Sequence, residues 1–142
     1  MTTRYRVSEA AAVLGVSDDT VRRWGDSGRL TIERGDSGPL SVDGRELARV
    51  ALELGEASEL SSVFPTARAS TRNRVTGIVT RVVRDGVMAQ VELQAGPFRM
   101  VSLISREAAD ELELQPGVLA VATVKATNVA VELPDTPRRS ES

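Results

Sequence analysis

The residues of this 142-residue chain best suited to chemistry are hydrogen-bond donors, not nucleophiles. The run Ser70-Thr71-Arg72-Asn73 brings together a hydroxyl, a guanidinium and an amide. The only lysine, Lys125, stands in the run Val124-Lys125-Ala126-Thr127, and every other basic residue is arginine. Lysine presents a compact point charge and arginine a planar fork, so around an anion the two do different work. Taken alone, Lys125 reads as one more solvated surface lysine. Its pairing with Ser70 and Arg72 changes that reading. The two runs open and close one segment of β character, and donors converging from its two ends would make an anion site. Backbone N–H groups near Val101 and Ser102 can add to it.

Composition removes the competing chemistries. The chain has no His and no Cys. Ser–His and Cys–His nucleophiles, imidazole and thiolate metal sites and disulfides are therefore excluded. No acid–base pair stands in a plausible arrangement, so the chain reads as a binding protein and not an enzyme. The formal net charge of -2 argues against a basic nucleic-acid coat but leaves room for a local basic face. Hydrophobic content is 41% and aromatic content 3%, so the core must come from Val, Leu, Ile and Ala. No apolar run approaches the roughly 20 residues of a membrane span. Residues 1–6 do not form an apolar signal core, and a cytoplasmic protein is the expectation.

The fold class read from the pattern is α+β, in two domains. Residues 1–56 read as helical with one irregular stretch. Residues 57–68, polar and broken by Pro65, read as a linker. Residues 69–133 read as strands with one short helix, and 134–142 as a disordered tail. In the first part, Ser8 is expected to cap a helix that Gly15 stops. Ser17 caps a second helix carrying Asp18 and Asp19 in its first turn. Val21 and Trp24 face the core with Leu14, so Arg22 and Arg23 project outward. A hairpin turns at Gly35-Asp36-Ser37-Gly38. Asp43 then caps a third helix, with Glu46 at the capping-box position. In the second part, strands are expected at Val75–Val83, Val87–Leu93, Phe98–Ile104, Val118–Val124 and Asn128–Leu133. Turns fall at Asp85-Gly86 and Pro116-Gly117, and Ser105 caps the helix. Five strands in so short a segment suggest a small OB-like β-barrel.

Two resemblances follow from these residues. Val7-Ser8-Glu9-Ala10-Ala11, Leu14-Gly15-Val16-Ser17, Thr20-Val21-Arg22-Arg23-Trp24 and Gly28-Arg29-Leu30 resemble the MerR and excisionase type of winged helix-turn-helix. That resemblance implies binding of double-stranded DNA through Ser17, Thr20, Arg22, Arg23 and Arg29. The wing Gly38-Pro39-Leu40 lacks the family's basic residues. Ser70-Thr71-Arg72-Asn73-Arg74, Gly77, Asp85-Gly86-Val87-Met88-Ala89, Ser105 with Ala108-Ala109-Glu111-Leu112, and Val124-Lys125-Ala126-Thr127 resemble the Mop or TOBE domain of the molbindins. Here Thr71 replaces the family's alanine. This resemblance implies molybdate or tungstate as ligand, held by Ser70, Arg72, Val101, Ser102 and Lys125 at interfaces of a homo-oligomer between dimer and hexamer. No metal ligand is implied, because the molybdenum arrives as an oxyanion. Together the halves suggest a molybdate-responsive DNA-binding regulator. The alternative is a molybdate storage or homeostasis protein whose N-terminal domain serves assembly or a partner.

Overall fold

The structure, a computed structural model, describes residues 3–64 and 69–135. The chain divides into two compact units, Met1–Pro65 and Thr66–Ser142. The linker expected at 57–68 contains a one-turn helix, α4 (Leu60–Val63), and its residues 65–68 lie outside the described residues. So does the expected tail from residue 136 onward.

In the first unit, β1 (Arg4–Arg6) leads directly into α1 (Val7–Leu14), followed by α2 (Asp18–Ser27), β2 (Ile32–Arg34), β3 (Leu40–Asp43) and α3 (Gly44–Glu56). The expected cap of α1 is corrected. Arg6, not Ser8, is the N-cap, and its N–H donates to Glu9 at 2.8 Å. The helix starts early because β1 pairs with β3 and delivers the chain to the helix at Arg6. β1 itself is not legible in the sequence. Gly15 and Gly28 end α1 and α2 with φ of 69° and 82°, values that favour glycine. Ser17 caps α2 by accepting from the Thr20 N–H at 3.1 Å. Asp43 caps α3, accepting from the Arg45 N–H. Glu46 does not close a capping box. Its carboxylate accepts the Thr31 N–H and ties α3 to the start of the hairpin. The sheet runs β1-β3-β2, all antiparallel. Val21, Leu30, Val42, Leu47 and Val50 form its core with Ala10 and Ala11, and Trp24 packs against them half-buried.

The second unit is one curled sheet. β4 (Asn73–Arg84), β5 (Met88–Ala95), β6 (Phe98–Ser105), α5 (Arg106–Glu111) and β7 (Leu119–Val124) give the order β6-β5-β4-β7. β4 is long enough to serve two partners. Its first half pairs with β7 and its second half with β5, and the register shifts between Val79 and Arg81. A bulge there bends the strand and increases its twist, which curls the sheet. Gly77 sits at the changeover, where a Cβ would meet the Gln94 carbonyl oxygen at 2.8 Å. Val79, Val91, Leu93, Ala89, Ala109 and Leu114 fill the concave side. Ser105 caps α5 as expected, accepting the Ala108 N–H.

The fifth strand is a correction. Asn128–Leu133 does not join the sheet. The chain makes a 3-10 turn over Ala126–Asn128 and then runs unpaired. Val131 and Leu133 are each 91% exposed. Alternating apolar residues report a face that wants burial, and among the described residues nothing covers that face. The sheet is therefore an open half-barrel, with β6 and β7 as its edges.

The first hairpin turn of this sheet carries a pH signature. The Asp85 carboxylate accepts the Val87 and Met88 N–H groups at 2.7 Å each. The Met88 and then the Val87 hydrogen bonds hold its pKa below the ordinary aspartate value. A depressed folded-state pKa gives stability that is complete above the unfolded value and lost as pH falls through the folded one. Asp85→Ala should lower the melting temperature of this unit at neutral pH. In thermal scans, the gap between wild type and variant should close in acid.

Candidate functional site

The β4–β7 ladder begins with Asn73 opposite Val124 and continues with Arg74 opposite Thr123. Arg72 and Lys125 are the residues one step outside the first pair. The Asn73 side-chain amide donates to the Val124 carbonyl at 3.1 Å, fastening together strand ends 51 residues apart in sequence. One amide N–H is thus committed to holding the ends rather than facing a ligand. Arg72 and Lys125 are both exposed, and neither side chain has a hydrogen bond or ion pair among the described residues. Two unpaired cations at adjoining strand ends repel, and an anion between them relieves the repulsion. Ser70 is exposed and lies two residues ahead of Arg72.

Val101 and Ser102 lie on β6, opposite Glu92 and Val91 of β5. The curl turns β6 toward β7 across an open groove of about 600 Å³. Val101 and Ser102 line it from one side, Thr123 and Val124 from the other, with apolar Leu93 and Met100 between. Ser70, Arg72 and Lys125 stand outside that lining. Within one chain the structure therefore joins Arg72 to Lys125, and separately joins Val101 and Ser102 to the end of β7. Next to Val101, the Arg99 guanidinium hydrogen-bonds Glu92 and holds its carboxyl below the usual range. That acid stays charged but paired.

Residues 69–131 match the model of the family described as the TOBE domain. A molybdate binding protein from Sporomusa ovata is 30% identical, over 47% of this chain and 100% of that one, with a TM-score of 0.46. MopII from Clostridium pasteurianum is 31% identical, over 46% of this chain and 100% of that one, with a TM-score of 0.45. The C-terminal unit is a TOBE domain. The identification rests on the family match over residues 69–131. The molybdenum-pterin-binding protein MopB of Rhodobacter capsulatus is 35% identical over 68 residues, 47% of this chain and 25% of that relative. The chain thus spans about a quarter of the length of MopB.

One more basic residue lies at this ladder end. Arg74 follows the Ser70–Asn73 run, and its Nε is enclosed by protein with no hydrogen-bond partner. Strand alternation was the available signal, because Arg72 and Arg74 are two apart on an extended chain.

The first unit carries a separate polar row. The Ser17 and Thr20 hydroxyls lie 2.9 Å apart, and the Arg23 guanidinium donates to Thr20 Oγ1 at 3.1 Å. Arg22 sits beside them on α2, 3.7 Å from Asp19, and both arginines are exposed. Ser17, Thr20, Arg22 and Arg23 therefore share the outer side of α2. Arg29 does not join them. Its guanidinium lies over the Trp24 ring, 4.5 Å from the centroid, and 3.9 Å from Glu53. A cation held on an indole face and near a carboxylate is committed to its own unit. Among the described residues no group of three or more His, Cys, Asp or Glu could hold a metal, and no helix is long and apolar enough to cross a membrane.

Proposed function

We propose that this chain is a molybdate- or tungstate-binding protein of molybdate homeostasis, with its TOBE domain as the binding module. The observation that carries the reading is the pair Arg72 and Lys125, set on adjoining strand ends with no counter-charge among the described residues. A tetrahedral dianion needs several donors and no His or Cys ligand. Ser70 supplies a hydroxyl, Arg72 and Lys125 charge-assisted bonds, and Ser102 with the Val101 backbone further donors. The names of the relatives from Sporomusa ovata and Rhodobacter capsulatus, both molybdenum-linked, support the choice of anion.

Assembly is part of the proposal. Ser70 and Arg72 of one copy would meet Lys125 or the Ser102 region of a neighbouring copy, in a homo-oligomer between dimer and hexamer. The open edges β6 and β7 and the exposed Val131 and Leu133 support this. An open sheet edge and an uncovered apolar segment both favour pairing with another chain. By light scattering the full chain should exceed the monomer mass, and truncation after Asn128 should lower that mass. Molybdate should raise the melting temperature of the assembly, since a ligand of the assembled form stabilises it by mass action.

A second reading is that the first unit binds double-stranded DNA and makes the protein a molybdate-responsive regulator. The exposed row Ser17, Thr20, Arg22 and Arg23 on a helix after a tight turn favours it. Coupling would require that molybdate bind two arrangements of the chain with different affinity. The separating experiment is a gel shift on DNA upstream of the protein's own gene and of neighbouring transport genes, with and without molybdate. On the regulator reading a fragment is bound specifically, and Arg22→Ala with Arg23→Ala abolishes that binding while molybdate binding persists. Affinity should fall with added salt, because phosphate contacts release counterions. Binding at nonspecific background in both conditions leaves homeostasis alone.

A further inference from the structure

We propose that the anion site reaches beyond Ser70, Arg72 and Lys125 to Arg74 and Thr123, and that Arg74 makes it select doubly charged over singly charged tetrahedral oxyanions. The inference rests on the oxyanion-binding reading above and assigns new residues to that site.

The placement follows from the ladder. Arg74 and Thr123 are direct cross-strand partners, so their side chains leave the sheet on the same face. Arg72 and Lys125 are each two residues along from this pair, on the outward side, and alternation returns them to that face. Asn73 and Val124 lie between on the opposite face, and their hydrogen bond keeps the two ends in register. One face of one ladder end therefore carries two guanidinium groups, an ammonium and a hydroxyl.

The environment of Arg74 says what is missing there. Its Nε is enclosed and has no hydrogen-bond partner, and its side chain makes no ion pair among the described residues. Buried donors are almost always satisfied, and a charged one left without a partner is costly. Three cations on one ladder end add mutual repulsion. A bound oxyanion answers both: its charge offsets the repulsion, and its oxygens can accept from the terminal N–H groups of the same guanidinium, whose Nε the protein leaves without a partner.

Charge selectivity follows from Coulomb's law. The energy scales with the product of the charges, so each cation contributes twice as much to a dianion as to a monoanion of the same shape. A third cation therefore widens the preference for molybdate over perrhenate, a tetrahedral oxyanion carrying one charge.

Calorimetric titration of the full-length protein with sodium molybdate and with sodium perrhenate tests the proposal. In Arg74→Gln, molybdate affinity should fall about tenfold or more, the loss of one charge-assisted contact. Perrhenate affinity should fall less, so the preference for molybdate narrows. Arg74→Lys should keep the preference while weakening both anions. Thr123→Val should weaken both by about threefold, as for a neutral hydrogen bond. If Arg74→Gln does not fold, the Arg74→Lys and Thr123→Val titrations decide. Unchanged molybdate affinity in the folded variants overturns the proposal, and so does an equal loss for both anions in Arg74→Gln, which would mark a structural role. Absence of molybdate binding by the unaltered protein is a different result, because it removes the oxyanion-binding reading together with this extension.

Discussion

Leu30→Ala should cost the N-terminal unit about 2–5 kcal/mol, the usual range for emptying a fully buried leucine site. Leu30 is 1% exposed and lies in the core with Val21, Val42 and Val50. It also follows the αL turn at Gly28, where the Arg29 and Leu30 N–H groups both reach the Trp24 carbonyl, at 2.9 and 3.3 Å. Losing its packing therefore loosens the seat of α2 as well as the core. A unit this small has little stability to spare, so the variant should be largely unfolded over residues 3–64. The TOBE domain has its own core and should stay folded. Hydrogen exchange should show fast exchange confined to the first unit, with molybdate binding retained.

The Arg72→Ala and Lys125→Ala double variant should lose molybdate binding. Each removed charge costs about 1.5–3 kcal/mol of binding, roughly tenfold or more in affinity. The residues share one ligand, so the two losses need not add. The fold should survive, because both side chains are exposed and neither is engaged with the protein among the described residues. Titration of both single variants and the double variant, with melting temperatures as the fold control, checks this. Unchanged affinity in both single variants would remove the site.

Much of the architecture was legible because it is written in local chemistry. Ser17, Asp43 and Ser105 cap helices through their own side chains, and Gly15 and Gly28 stop helices by accepting a positive φ. Such signals need only a few neighbouring residues. What escaped depends on partners far along the chain. β1 is three residues, Arg4–Arg6, with no apolar alternation, and it is a strand because β3 is there to receive it. Glu46 was read as a capping-box acid, and instead it reaches the Thr31 N–H fifteen residues away. Asn128–Leu133 fails in the opposite sense. Its alternation is real, but alternation reports a wish for burial and not the chain that provides it.

The candidate site divides the same way. Ser70, Arg72 and Lys125 stood out as residue types, and the β4–β7 register explains how two of them come to adjoining strand ends. Arg74 shares a face with Arg72 through the strand period, a relation that residue type alone does not show. Arg29 enters the DNA-binding set only through the winged helix-turn-helix resemblance. The turn at Gly28 instead carries it back over Trp24.

The central claim is that the TOBE domain binds a tetrahedral oxyanion of molybdate size. The most direct measurement is calorimetric titration of the purified protein with molybdate, tungstate and sulfate, with stoichiometry per chain. Molybdate and tungstate should each give a saturable isotherm at a fixed ratio to the chain, and sulfate, being smaller, should bind much more weakly. No saturable heat with molybdate, or sulfate binding as tightly, would contradict the account.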